Sequence, residues 1–231
     1  MSATRTVGIV GGHGKTGRAV AAALAERGAG VVVTGRAEWD DLAEALAGRE
    51  AAYVVTPNLH DDEPGYVQHA LDAAGAAGVG RVVYHSVASP HVPAMPHHLD
   101  KAEAEDLVRT SGLAWTILQP GAYLQNLDLT RTVRLPYRAD APFGFLDLAD
   151  LGAAAATVLL DDGHTGATYE LASRQATVAD LAAEAGVEVV VERPTGLPVD
   201  REDAVLRAMF AHYDDHGLLA GTRVLDALLG R

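Results

Sequence analysis

Cysteine is absent from all 231 residues, which excludes disulfides, thiolate metal sites and a cysteine nucleophile, and is compatible with a reducing compartment. Positive charge is scarce: 18 basic residues stand against 31 acidic ones, a formal charge of -13. No run of Lys or Arg breaks that background, so polyanion binding and a nucleic-acid partner are disfavoured, because neutralising phosphates takes clustered cations. Long apolar runs are also missing. Met1 to Val10 carries no apolar core of signal-peptide length, and nothing later approaches the roughly 20 residues that span a bilayer. A soluble, cytoplasmic protein with no membrane partner is the simplest expectation. No internal repeat or low-complexity linker divides the chain.

Hydrophobic residues make up 48% of the sequence, enough for one sizeable core. Short apolar runs bounded by glycine alternate with longer amphipathic Ala/Leu/Glu segments, the pattern of repeated β-α units on a mostly parallel sheet. Strands are expected at Thr6 to Val10, Gly30 to Thr34, Ala51 to Thr56, Arg81 to Ser86, Ala114 to Gln119, Gly166 to Leu171 and Val187 to Val191. Helices are expected at Lys15 to Arg27, Asp40 to Gly48, Pro64 to Ala77, His98 to Ser111, Tyr123 to Val133, Leu148 to Leu160, Val178 to Ala185, Arg201 to Tyr213 and Thr222 to Leu229. The fold class is therefore α/β, a Rossmann-type doubly wound parallel sheet. Residues 1–135 are expected to form its core, and residues 136–231 to complete the sheet and cover a cleft within one integrated domain.

The stretch Val7-Gly8-Ile9-Val10-Gly11-Gly12-His13-Gly14-Lys15-Thr16-Gly17 sets a glycine cluster between an apolar strand and an Ala-rich helix, the context in which such clusters hold a pyrophosphate. Gly11 permits the tight turn, Gly14 lets the backbone approach the anion, and Gly17 lets helix and strand pack closely. Gly12 and His13 complete the turn, and the free amides of Lys15, Thr16 and Gly17 point at the phosphate. A Walker A reading of Gly14-Lys15-Thr16 fails in register, since Ile9 stands five before Gly14. A glycine turn with no ligand is the alternative. Where NAD-binding units place a carboxylate, the second strand here ends Val33-Thr34-Gly35-Arg36. A guanidinium suits the 2′-phosphate of NADP, so NADP(H) is expected over NAD(H). The alternative is a surface Arg36 paired with Glu38, Asp40 or Asp41.

The residues Tyr84-His85-Ser86, His98-Leu99-Asp100-Lys101-Ala102-Glu103-Ala104-Glu105 and Ser111 to Asn126, with Gln119-Pro120-Gly121-Ala122-Tyr123, resemble the NmrA-like branch of the atypical short-chain dehydrogenases/reductases. Phe145 to Leu151 and His212 to Leu218 extend the resemblance over nearly the whole chain. It implies a cofactor-binding fold whose members include NAD(P)H-dependent reductases of quinones, azo dyes and other conjugated compounds, and also non-catalytic regulators. By the same resemblance Lys101 holds the nicotinamide ribose, Ser86 and Pro120-Gly121 border the nicotinamide, and Thr56-Pro57-Asn58 line the cofactor at the switch point. For Lys101 the alternative is a solvated helix residue paired with Glu105.

Two departures from the resemblance matter. The Tyr-x-x-x-Lys pair of ordinary short-chain dehydrogenases is broken, because His97 stands four before Lys101. His97 and Tyr123 become the candidate proton donors, against the alternatives of a loop histidine and an aromatic under the substrate. Only Ala37, Glu38 and Trp39 separate Arg36 from the next helix, too few for a strand and its turn, so the usual third strand is expected to be missing.

His85, His91, His97 and His98 crowd one region without the spacing of a helical metal pair, and no metal is expected. Ser86 lacks the Gly-x-Ser-x-Gly elbow of a hydrolase. The leading expectation is an NADPH-dependent oxidoreductase delivering hydride to a small conjugated or carbonyl substrate such as a quinone, with Tyr123, Asn126, Tyr137, Phe143 and Phe145 around that substrate. A non-catalytic NADP(H) sensor and a tailoring isomerase, epimerase or dehydratase stay open as alternatives. The fold is compatible with a homo-oligomer, and no interface can be named.

Overall fold

A computed structural model describes residues 5–231. Residues 1–4, which begin the expected first unit and the segment read for a leader, lie outside the described residues. The elements run β1 (Thr6–Val10), α1 (Lys15–Glu26), β2 (Gly30–Thr34), α2 (Leu42–Leu46), β3 (Ala51–Val54), α3 (Glu63–Ala76), β4 (Arg81–His85), α4 (Pro96–Thr110), β5 (Ala114–Pro120), β6 (Ala122–Tyr123), β7 (Val133–Leu135), β8 (Pro142–Leu146), α5 (Leu148–Leu160), β9 (Ala167–Leu171), β10 (Arg174–Thr177), α6 (Val178–Ala185), β11 (Val189–Val191), α7 (Arg201–His216) and α8 (Arg223–Leu229).

Six parallel strands form the main sheet in the order β2-β1-β3-β4-β5-β9. Its central strands are mostly apolar, as strands covered on both faces are. Val7, Ile9, Tyr53, Val83 and Leu118 pack against α1, α5 and α8 on one face. Val10, Ala52, Val54, Val82 and Ile117 meet α2, α3 and α4 on the other. The architecture is the expected Rossmann-type fold, and the strand from the second half, β9, completes its sheet. Strand β2 is the edge. Between it and α2 the stretch Arg36 to Asp40 holds a single 3-10 turn, Arg36–Glu38, rather than a strand. The Glu38 carboxylate accepts from the Gly35 amide at 2.8 Å and so ties this turn down.

Smaller sheets, β10-β8-β6 and β11-β7, gather at the carboxyl end of the main one. They enclose a further apolar cluster including Met95, Leu135, Phe143, Phe145, Tyr213 and Leu218. The helix expected over Tyr123 to Val133 is not there: the chain makes β6, a 3-10 turn at Leu124–Asn126 and the start of β7. Leu124 and Leu127 mimic helical spacing, yet they and Leu129 reach the third cluster from a 3-10 turn and the irregular chain after it. Side-chain bonds hold that path, with the Gln125 amide donating to Asp147 at 2.9 Å and the Thr130 hydroxyl donating to Asp128 at 2.6 Å. Strands β8 and β10 also escape the sequence reading. Among the described residues no helix is long and apolar enough to cross a membrane.

Candidate active site

Strand β1 has β2 on one side and β3 on the other, so the connections leaving β1 and β3 diverge and open a crevice at their carboxyl ends. A cleft of about 560 Å³ lies there. Its wall takes the glycine turn and start of α1, Val55 to Leu59 after β3, His85 to Val87 after β4, and His97, His98 and Lys101 from α4. Pro120, Gly121, Tyr123 and Asn126 follow from β5 and β6, and Tyr137, Phe143 and Phe145 form an aromatic end.

The four clear glycines of the turn serve different ends. Gly11 sits at φ +73°, and a Cβ there would collide with the Val55 carbonyl. A Cβ on Gly17 would strike the Gly12 backbone, which is why α1 can start so close to the turn. Gly12 is buried with its amide donating to the Thr34 carbonyl at 3.2 Å, so it serves the turn and offers no donor to a ligand. Gly14 is different: it has φ -72°, open to any residue, and a Cβ would meet nothing within 4 Å. Neither backbone nor neighbours require glycine there, and the space in front of it is open. Gly14 caps α1 without a side chain, and the amides of Lys15, Thr16 and Gly17 have no partner among the described residues. Three convergent donors at a 12-residue helix's positive end make an anion cradle. The Thr56 hydroxyl, buried on the cleft wall, has no hydrogen-bond partner either. These features fit a dinucleotide.

Other residues read from the sequence lie as follows. Lys15 reaches across the cleft mouth to bond the Asn126 side-chain oxygen, passing 5.4 Å from the Tyr123 ring centre. Burial lowers the Lys15 ammonium from its ordinary range. His13 is exposed, its ring lying over Gly35 so that a Cβ there would run into it. Arg36 is exposed at the end of β2, outside the cleft wall, and makes no hydrogen bond or ion pair among the described residues. The pairing with Glu38, Asp40 or Asp41 is thus not made. Pro57 and Asn58 are exposed at the rim.

Lys101 is not paired with Glu105. Its ammonium is buried, 2.6 Å from Glu63 Oε1 at the first residue of α3, and it also donates to the His85 carbonyl at 3.2 Å. The Tyr84 hydroxyl donates to the same Glu63 oxygen at 2.8 Å, while Glu63 Oε2 has no partner. One N–H of Lys101 is left for a ligand on the cleft wall. Ser86 is turned away from the cleft: its hydroxyl donates to Glu105 Oε1 at 2.5 Å, beside Gln119 and Arg109 on the same carboxylate. It has no histidine partner, as a nucleophile would need, and borders the cleft through its backbone.

The crowded histidines separate into distinct roles. His91 is exposed. His98 lies against Ser89 O at 3.2 Å, a carbonyl that can only accept from Nδ1, and its Nε2 has no partner. His97 lines the cleft, and burial together with Lys101 lowers it to about 4. His85 is enclosed between two tyrosines, with Nδ1 2.5 Å from the Tyr53 hydroxyl and Nε2 2.8 Å from the Tyr123 hydroxyl. Burial, then Lys101, lowers His85 to about 3, so it is neutral at any working pH. Burial pushes the Tyr123 hydroxyl up, and a hydrogen bond from Thr16 offsets part of that rise. Tyr137, Phe143 and Phe145 stack or tilt on one another at 5.4 Å between ring centres.

Sequence reasoning missed Glu63, the bonds of Glu105 to Ser86 and Gln119, the Tyr53-His85 pair, and also the contribution of α7, whose Leu206, Met209, Phe210 and Tyr213 close the aromatic end. Phe210 and Tyr213 lie three apart on one helical face, a spacing that marks an apolar stripe but not what it covers.

A model of the NmrA-like family matches residues 15–199. The (4-alkanoyl-5-oxo-2,5-dihydrofuran-3-yl)methyl phosphate reductase of Streptomyces griseus is 30% identical over 89% of this chain and 80% of its own length. Quinone oxidoreductase 2 of Escherichia coli is 31% identical over 72% of this chain and 60% of its own length. Among solved structures, the Escherichia coli NADPH-dependent quinone oxidoreductase complexed with NADPH superposes with TM-score 0.77 at 23% identity, covering 97% of this chain and 95% of that one. The Citrobacter sp. triphenylmethane reductase complexed with NADP(H) gives 0.76 at 20%, covering 98% and 95%. These superpositions carry the fold, and the family model takes in most of the length. The chain belongs to the NmrA-like family.

Proposed function

We propose that the protein is an NADPH-dependent reductase of a small conjugated or carbonyl compound, quinone-like in size and polarity. The observation that carries the reading is the cradle of three unpartnered amides at the start of α1, facing the open space at Gly14. Its relatives named as reductases of a dihydrofuran phosphate, a quinone and an azo compound support the same chemistry.

The bound nicotinamide supplies a hydride. The chain's own residues do the rest: the α1 amides hold the diphosphate, Arg36 takes the 2′-phosphate, and Thr56 and the remaining Lys101 N–H meet ligand hydroxyls. Tyr137, Phe143, Phe145 and α7 exclude water from the reacting end, which strengthens each polar contact inside.

Fluorescence titration with NADPH, followed by its oxidation in the presence of a quinone, enone and azo panel, tests the whole reading. No uptake of NADPH sinks it, and uptake without oxidation points to a sensor instead. Arg36→Asp is expected to weaken NADPH binding by about 10- to 100-fold, the worth of a charge-assisted contact, and to leave NADH binding nearly unchanged. An unaltered ratio of the two dissociation constants removes Arg36 from the site. Gly14→Ala is expected to leave the urea midpoint within the spread of a neutral surface change, about 0.5 kcal/mol, while NADPH affinity falls at least tenfold. Equal affinity would show that the space in front of Gly14 is not where the diphosphate lies.

A further inference from the structure

Tyr53, His85 and Tyr123 form a continuous hydrogen-bonded row from the sheet interior to the cleft wall. Which way its protons run follows from counting donors and acceptors. Tyr53 is 0% exposed, and His85 Nδ1 is the one hydrogen-bond partner of its hydroxyl among the described residues. A neutral imidazole carries its proton on one nitrogen only. If that were Nδ1, the Tyr53 hydrogen would have no acceptor, and a buried donor left unpaired costs about 1–3 kcal/mol. Tyr53 therefore donates to Nδ1, and the imidazole proton sits on Nε2. From there it donates to the Tyr123 oxygen. That leaves the Tyr123 hydrogen as the one proton of the row directed away from His85, on the side where Thr16 and Tyr123 together line the cleft. His97, the other candidate donor, makes no side-chain hydrogen bond among the described residues that would aim its N–H.

We propose that Tyr123 is the proton donor to the reduced substrate, and that His85 and Tyr53 are positioning residues that aim its O–H into the cleft and hold the phenolate it leaves. The proposal rests on the reductase reading above and extends it to the step that the broken Tyr-x-x-x-Lys pair left open. A reduced nicotinamide held in the cleft would supply the hydride that forms a new C–H bond on the substrate. The displaced π pair collects on the substrate's carbonyl oxygen. The Tyr123 O–H bond breaks, its proton goes to that oxygen, and its electron pair stays on the phenolate, stabilised by the Nε2–H of His85. Water entering as product leaves returns the proton. One hydride and one proton are consumed, the dinucleotide is oxidised and the substrate reduced by two electrons.

Two measurements test this. In the first, the protein labelled with ¹⁵N-histidine and free of cofactor is examined by NMR, with His85 assigned by its loss in His85→Asn. The expected spectrum has Nε2 protonated and Nδ1 bare, and Tyr53→Phe mixes the two tautomers. Protonation on Nδ1 overturns the proposed direction, whatever the protein's activity. In the second, NADPH oxidation by 1,4-naphthoquinone is followed for wild type, Tyr123→Phe and Tyr53→Phe. Tyr123→Phe is expected to lose about 100-fold in kcat, the usual contribution of a general acid, with the dissociation constant for NADPH within twofold. Tyr53→Phe is expected to lower kcat less, with KM unchanged and a larger solvent deuterium effect. A Tyr123→Phe enzyme within threefold of wild type overturns the donor role. A wild type that binds NADPH but never oxidises it overturns the reductase reading and the donor role together, and the NMR result then reports separately on the orientation of the row.

Discussion

Lys101→Met is expected to destabilise the protein by about 3–5 kcal/mol at neutral pH with no nucleotide present, the cost of breaking a buried ion pair from one side. The ammonium lies 2.6 Å from Glu63 Oε1, and the Lys101 and Glu63 side chains are 7% and 0% exposed. Methionine matches the aliphatic stem but removes the counter-charge, leaving Glu63 ionised in an apolar wall with only the Tyr84 hydroxyl as donor. One carboxylate oxygen is already without a partner. The double variant Lys101→Met with Glu63→Gln removes both charges and is expected to recover most of the loss, because desolvation of a neutral amide costs far less than that of a carboxylate. Urea denaturation of the three proteins checks this. A single variant within about 1 kcal/mol of wild type would mean that the pair carries no net weight. A loss of the expected size would make Lys101 a structural element of this chain through its pair with Glu63.

A second large effect is expected on acidification. His85, His97 and His98 are held at about 3, about 4 and about 4, in each case first by burial. The charged groups facing them are Lys101 for His85, Lys101, Glu63 and Arg201 for His97, and His97 and His212 for His98. Their native values lie below the ordinary value of 6.5, so the unfolded chain binds protons that the folded chain refuses. Stability is therefore full above about pH 6.5 and declines from there toward pH 4. Each histidine contributes a slope approaching about 1.4 kcal/mol per pH unit, or roughly 4 for the three together. Urea midpoints at pH 7, 6 and 5 should fall in that order, and His97→Gln should reduce the slope by about one proton's worth. Flat midpoints across this range would show that the three imidazoles admit protons while folded.

How much of this was legible from residue order depends on distance along the chain. The glycine turn is local: strand, turn and helix follow within eleven residues, and each glycine's role can be read from its neighbours, apart from Gly12, whose amide goes to Thr34 across the sheet. Arg36 follows from its offset, and Lys101 from the resemblance of its helix. Glu63 was invisible, because between Asp62 and Pro64 it reads as one more acid at a helix start. Only the packing of α3 beside α4 brings it to a lysine 38 positions later. His85 stood among other histidines and invited thoughts of metal, when its partners are two tyrosines from distant strands. The segment after Tyr123 failed for another reason. Leucines at 124 and 127 satisfy helical spacing, but tertiary packing and side-chain bonds from Gln125 and Asp128 chose an extended path.

The cleft draws its wall from Gly11 near one end of the chain to Leu218 near the other, by way of β3, β4, α4, β6 and α7. Its contributors come from the ends of the six-stranded sheet, from the smaller β10-β8-β6 sheet and from α7, and only the folded chain brings them together. A ligand spanning these elements binds the folded chain and not the unfolded one. Whatever fills the cleft therefore shields the entire domain from proteolysis and heat at once, by about 2.7 kcal/mol when its concentration is a hundred times its dissociation constant. The supply of that ligand becomes a determinant of how long each copy survives.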